Sequence, residues 1–278
     1  LRAATFSGCG AIALWSTLGL LSRAAAAIPP LQLTAMAFAV SAALGLGVLA
    51  LRGELGVLRQ PAAVWAHGVL GLFGFHALYF AALAWAPAAE ANLINYLWPL
   101  FIVLFAAFLP GMRLSRWHLA GVGCGLAGCA LLLGGGAGLS AAALPGYLMA
   151  LGSAVTWAVY SVLARLLAAV PTAAVAGFCG ATAGLAGLCH LAVETTVMPG
   201  GGAWLAVLAL GVGPVGAAFF LWDHGMKHGD PRLLGTLAYA TPVVSTLLLA
   251  VGGFAEVTPT LFAAAGLVAL GGLLAARG

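Results

Sequence analysis

The sequence predicts an all-α, polytopic membrane protein of ten transmembrane helices, arranged as two inverted repeats of five. Three observations carry this expectation. Of 278 residues, 64% are hydrophobic and only 6% charged, and the mean hydropathy is +1.14. Soluble domains average roughly 25% charged residues, so a surface this poor in charge does not face water. The charges and the Pro/Gly punctuation fall at intervals close to the ~20 apolar residues that cross hydrocarbon. Short motifs in the first half recur in the second. A membrane β-barrel would instead show short alternating segments. The net charge of +4 is too small to suggest nucleic acid as a partner.

Taken in order, span 1 covers about 3–22 and ends at Arg23. Span 2 follows Pro29-Pro30 and runs to Arg52, and span 3 follows Arg59-Gln60-Pro61 over about 63–85. Span 4, about 88–109, lies between Pro87 and Pro110. Span 5 starts after Arg116 and ends in Gly134-Gly135-Gly136, which divides an uncharged stretch too long for one helix. Span 6 runs from near Pro145 to about Leu167, and span 7, about 172–193, lies between Pro171 and Glu194. Span 8 extends from near Trp204 to near Trp222. Span 9 follows Pro231-Arg232 to about Val251, and span 10 covers about 258–276. With both termini cytoplasmic, Arg2, Arg52, Arg59, Arg113, Arg116, Arg165, Lys227, Arg232 and Arg277 face inward and Arg23 alone faces outward. That is the asymmetry of the positive-inside rule. Glu90, Glu194 and Glu256 fall in outer loops.

Trp65, Trp85, Trp117, Trp204 and Trp222 sit at predicted span ends, where indoles prefer the interface. Trp15, Trp98 and Trp157 fall near span centres. The five cysteines lie in apolar runs without metal-ligand spacing, as small buried residues do. No cleavable signal pattern is evident at the N-terminus. No cofactor is expected.

The stretch that departs from a plain membrane helix is Asn92-Leu93-Ile94-Asn95-Tyr96-Leu97-Trp98-Pro99. Amides in hydrocarbon cost free energy unless paired, and Pro99 removes a backbone donor. Such a segment is tolerated where it meets protein or a water-filled cavity. Its Tyr-x-x-Pro ending recurs as Tyr239-Ala240-Thr241-Pro242. Gly10 to Trp15 and then Arg23 recurs as Gly152 to Trp157 and then Arg165. Leu70-Gly71 with Tyr79-Phe80 recurs as Leu210-Gly211 with Phe219-Phe220. The offset is always near 140 residues, which gives repeats over 1–139 and 140–278. Five spans is an odd number, so the second repeat is inverted, an architecture of transporters that bind near the midplane between repeats.

Two five-span halves with Tyr-x-x-Pro in the fourth span of each resemble the drug/metabolite transporter superfamily, in its EamA-type branch. The stretches Asn95-Tyr96-Leu97-Trp98-Pro99-Leu100 and 221–230 (LWDHGMKHGD) look most like that superfamily's bacterial aromatic amino acid exporters. The resemblance covers essentially the whole chain. It implies export across the bacterial inner membrane and a pore lined by spans 1, 3, 4, 6, 8 and 9. On those spans the candidate substrate-binding residues are Trp15, His76, Tyr79, Asn92, Asn95, Tyr96, Trp98, Pro99, Trp157, Tyr160, Phe219, Tyr239 and Pro242. Asn92, Asn95, Tyr96 and Pro99 follow helical spacing on one face, and His76, Tyr79 and Leu83 do likewise. Each has a plainer reading: core packing for the tryptophans, an interhelical bond for Asn95, kinks for the prolines. His67, His118 and His190 lie near span ends and read as interfacial. Spans 5 and 10 carry Gly121, Gly125, Gly128 and Gly266, Gly271, Gly272, which read as close-packing ridges.

No charge lies at a span centre. A phosphorylated sugar would want a cationic clamp and a cationic drug an acidic residue. Rings with neutral amides suit a net-neutral ligand with an apolar body, such as an aromatic amino acid, moved by alternating access without obligate proton coupling. A small neutral amino acid or other neutral metabolite is the nearest alternative. An intramembrane enzyme would centre on Asp223, His224, His228 and Asp230, with the two histidines at metal-sharing spacing. The short loop and the one Lys and one Arg nearby favour a solvated helix end instead. No filter loop or ring of charge suggests a channel. Ten spans suffice for a monomer.

Overall fold

The computed structural model describes residues 2–133, 140–254 and 256–278, and the regular structure among them is helical. In chain order the helical stretches are α1 Arg2–Ala24, α2 Pro30–Leu51 and α3 Ala62–Trp85. Next is α4, made of Ala88–Asn95 and Trp98–Ala106. Then come α5 Arg116–Leu133, α6 Ala141–Leu167, α7 Thr172–Val193, α8 Gly201–His228, α9 Pro231–Val251 and α10 Pro259–Ala275. Seven of these are long and apolar enough to cross a membrane by length and composition, among the described residues; the shorter stretches Glu90–Ala106 and Pro259–Ala275 are apolar too. Phe6, Leu51, Phe108, Leu191, Leu205 and Phe262 are exposed on the outside of the bundle, as lipid-facing residues are. Gly134-Gly135-Gly136, expected to separate spans 5 and 6, lies outside the described residues, as does residue 139 at the expected repeat boundary.

The helices pack in a definite pattern. α2 lies along α7, α5 along α10, α1 against α8, and α3 against α6. The α5–α10 seam is built on glycine: a methyl group at Gly121 would meet the Gly271 carbonyl oxygen at 2.6 Å, and one at Gly128 the Ala264 oxygen at 2.9 Å. The ridge expected from the sequence therefore joins these two helices to each other. Gly266 takes no part, with open space where a side chain would go.

The loops gather at two ends. At the basic end, Asp230 N–H donates to Thr5, Arg232 donates to the Arg113 carbonyl, and Arg165 donates to the Gly229 carbonyl at 2.6 Å. Arg116 and Arg277 both lie over the Trp117 ring. At the opposite end, the Glu194 carboxylate accepts from Leu31 and Gln32 N–H, both at 3.0 Å, and meets His190 Nδ1 at 2.8 Å. Glu194 thus caps the otherwise unsatisfied donors that open α2.

Two expectations about α8 are corrected. It continues to His228, six residues beyond its expected end. That extra length draws Trp222 inside the protein, 1% exposed, rather than leaving it at the interface. It also buries Asp223 and Lys227, which pair at 2.7 Å. Only His224 and His228 of that cluster are exposed. His118 and His190 are buried as well, because they bond Ser115 and Glu194 respectively.

Candidate functional site

Three helices are interrupted around the middle of the bundle, and each interruption has a local cause. α4 breaks at Tyr96-Leu97 and restarts at Trp98-Pro99, and α9 breaks at Ala238-Tyr239 before Thr241-Pro242. In both, the turn is closed three residues back, by Leu97 N–H to Ile94 O and by Thr241 N–H to Ala238 O. Proline suits the first turn of a helix, where its missing N–H has no partner to lose. α1 breaks at Thr17, whose hydroxyl donates to the Leu14 carbonyl at 2.7 Å. α3 and α8 each contain a wider π-type turn, at Leu70–Gly74 and Gly213–Ala217. Such turns free carbonyls, and the one on Pro214 accepts the Trp15 indole N–H at 3.0 Å.

These breaks surround a cavity of about 540 Å³. Its floor is aromatic. Trp15 meets Trp157 at 5.5 Å, Phe219 at 6.0 Å and Trp98 at 6.3 Å, mostly edge to face, the arrangement ring quadrupoles prefer. Trp222 lies beneath, 5.0 Å from Trp15, and its indole N–H donates to Ser161 at 2.9 Å. One wall is polar. The Tyr79 hydroxyl donates to the Asn92 side-chain oxygen, and Ser153 donates to the Asn95 oxygen at 2.7 Å. Asn95 therefore both lines the cavity and bonds across to α6, uniting the two readings its sequence position allowed. His76 Nδ1 donates to the Leu72 carbonyl at 2.7 Å, which leaves Nε2 as the ring atom to meet a ligand. Among the described residues, no Asp, Glu, Lys or Arg lines the cavity.

Ten of the thirteen residues expected from the sequence line this space: Trp15, His76, Tyr79, Asn92, Asn95, Tyr96, Trp98, Trp157, Phe219 and Pro242. Pro99, Tyr160 and Tyr239 do not. The break at 96–97 turns the helix, so Trp98 rather than Pro99 continues the Asn92 face. Tyr160 lies towards the basic end, its ring stacked on His67 at 4.7 Å and packed against Gly71. Tyr239 fills the hollow left by Gly125 on α5. The lining also includes Ser22, Phe75, Thr241, Ser245 and Thr246. Pro242, Ser245, Thr246 and Leu249 share one helical face, so the spacing argument applied to span 4 finds them in span 9 too.

The cavity is one-sided. From Trp15 it extends to Ser22 on α1, from Trp98 back to Asn92 on α4, and from Thr241 on to Leu249 on α9. Each of these directions leads to the end that carries Arg23 and Glu194. Towards the basic end the space is filled by Trp222, Tyr160 and the Asp223–Lys227 pair, all buried.

The chain resembles known proteins over nearly its whole length. The sequence model of the EamA-like transporter family matches twice, at residues 3–134 and 144–277. The chain is 55% identical over 276 residues to the aromatic amino acid exporter YddG of Ancylobacter novellus, covering 98% of this chain and 96% of that protein. It is 27% identical to the exporter of the same name from Salmonella typhimurium, over 98% of this chain and 96% of that one. For the Escherichia coli protein the figures are 26%, 89% and 88%. A solved crystal structure 54% identical in sequence superposes with a TM-score of 0.96 over 99% of this chain and 98% of its own.

Proposed function

The chain belongs to the EamA-like transporter family, and from that premise we propose that it exports aromatic amino acids across the bacterial inner membrane by alternating access through the cavity described above. It is a transporter, not an enzyme. The observation that carries the substrate class is the composition of the cavity wall: an aromatic floor, a neutral amide and hydroxyl wall, and no charged side chain among the described lining residues. Its volume of about 540 Å³ is within the usual range of small-molecule sites, ~300–1,000 Å³. An aromatic side chain packs on the rings while amides and hydroxyls hold the charged end. The names of the related exporters point the same way.

The thirteen residues expected from the sequence remain the proposed substrate site, with Tyr160, Tyr239 and Pro99 acting when the other side opens. The proposed topology is ten crossings in two inverted five-helix repeats, 1–139 and 140–278, with both termini cytoplasmic and the monomer as the working unit. The packing pattern supports a two-fold relation between the halves, which five helices per half make an inverted one. Exchanging each helix with the one five places along turns the α1–α8 contact into α6–α3 and leaves α2–α7 and α5–α10 unchanged. The double family match has the same spacing. The charge asymmetry between the two ends supports the orientation.

Counterflow in proteoliposomes tests the reading. Tryptophan and phenylalanine are expected to exchange, and threonine, alanine and cysteine to compete poorly; the reverse order would sink the aromatic assignment in favour of a small neutral substrate. Without a carboxylate among the described residues of the cavity wall, exchange is expected to continue when the pH gradient is collapsed.

A further inference from the structure

The basic end of the bundle holds a polar cluster that the cavity does not use. Lys227 and Asp223 lie one turn apart on α8, each side chain 4% exposed, with Nζ 2.7 Å from Oδ2. Asp223 also accepts from the Thr172 hydroxyl at 2.6 Å, and Lys227 also donates to the Val170 carbonyl at 2.9 Å. On the same basic side of the cavity the Tyr160 hydroxyl, on a residue 3% exposed, has no hydrogen-bond partner among the described residues. A buried ion pair is a poor way to hold a fold together, because apolar packing of the same volume avoids its desolvation cost. In a membrane protein such a pair marks function by default.

The repeats indicate what this cluster faces when the protein opens the other way, an argument that rests on the inverted-repeat transport reading. Aligning Trp15 with Trp157 places the cavity residues Leu18, Gly19 and Ser22 on Tyr160, Ser161 and Ala164. Aligning Pro99 with Pro242 places Ser245 and Thr246 on Ile102 and Val103. All five counterparts are 3% exposed or less. If the halves exchange conformations, these become the wall of an inward-opening cavity; aligning Gly71 with Gly211 adds Phe219 and Phe220, and Asp223 and Lys227 continue the Phe219 face one and two turns further towards the basic end, at its mouth. The two walls then differ in kind. Among the described residues the outer one offers no Asp, Glu, Lys or Arg, and the inner one opens towards a carboxylate and an ammonium side by side.

We propose that Asp223 and Lys227 form an inner subsite for the zwitterionic head of an α-amino acid, Asp223 receiving its ammonium and Lys227 its carboxylate. In the present state the pair satisfies itself and, through Val170 and Thr172, ties α8 to the α6–α7 connection and the first residue of α7. An arriving zwitterion offers each partner the same charge it already holds, so it replaces the pair without leaving either charge alone. Among the described residues no such pair lines the outer cavity, so release there meets no counterpart.

The test compares the two faces of the full chain in membrane vesicles of opposite orientation. Asp223→Asn and Lys227→Gln are each expected to raise the tryptophan KM about tenfold at the basic end and to leave it within about twofold at the other. Two analogues separate the roles. Tryptamine carries only the ammonium, and its inhibition from the basic end is expected to vanish in D223N and persist in K227Q. Indole-3-propionate carries only the carboxylate and should behave in the opposite way. A KM shift equal on both faces, or inhibition by both analogues weakened alike, overturns the subsite and leaves the pair a structural tie. Should the single variants fail to reach the membrane, the double variant D223N/K227Q leaves no lone buried charge. A wild-type KM at the basic end in that variant also overturns the proposal. Failure of the wild type to move tryptophan at all would instead count against the transport reading.

Discussion

Single residues here are constrained mainly by what they touch across helices. Gly71 is the sharpest case. A methyl group there would lie 2.1 Å from the Tyr160 ring, so Gly71→Ala forces that ring and the His67 stacked on it to move. Overpacking of this kind costs about 1–3 kcal/mol, and the variant is expected to melt earlier in detergent, with tryptophan counterflow slowed. Asp230 is constrained by charge. It caps α9 by accepting from Arg232 and Leu233 N–H, and its two oxygens hold the Arg232 guanidinium. Burial pushes its carboxyl up, but the arginine and the backbone bonds outweigh this and hold it below its ordinary value. A carboxyl depressed in the fold adds stability that is present above its unfolded pKa, about 3.9, and lost as pH falls through the folded one. Thermal stability in detergent should therefore fall on acidification below about pH 4, and Asp230→Asn should flatten that part of the curve.

Among elements, the interrupted helices and the glycine seam have opposite jobs. α9 must stay broken at 238–239 for Thr241 and Pro242 to face the cavity. Pro242→Ala restores a donor and removes the clash that favours the break. The expected result is a several-fold slower exchange with folding intact, read from initial rates and a melting curve together. The α5–α10 seam must stay tight. Gly121→Leu drives a side chain into the Gly271 backbone and is expected to cost about 1–3 kcal/mol, lowering the melting temperature. The elements themselves were legible in the sequence because charges and prolines mark where a helix meets water. The one boundary that was misread, at the end of α8, shows the weakness of that ruler. Asp223 and Lys227 read as a solvated end because charges usually are, whereas here each neutralises the other and the helix runs past them.

At the scale of the whole molecule, the open end and the closed end make a directional statement. Ser245 lies on the cavity wall, which extends towards the end carrying Arg23 and Glu194. Ser245→Cys, with the five native cysteines replaced, is expected to react with a membrane-impermeant thiol reagent from the outer face, and tryptophan should slow the reaction. Labelling only from the cytoplasmic face would reverse the proposed orientation.

The sequence by itself determined the membrane class, the helical stretches, the family and most of the cavity residues. Those rest on composition, on helix periodicity and on motifs that local chemistry places at span centres, all of which are properties of neighbours along the chain. Only the tertiary structure decided that Trp98 rather than Pro99 faces the cavity, that Trp222 and Tyr160 seal it on one side, and that Asp223 and Lys227 are buried together. Each depends on how a broken or lengthened helix is rotated against partners more than fifty residues away, and no local pattern encodes that rotation.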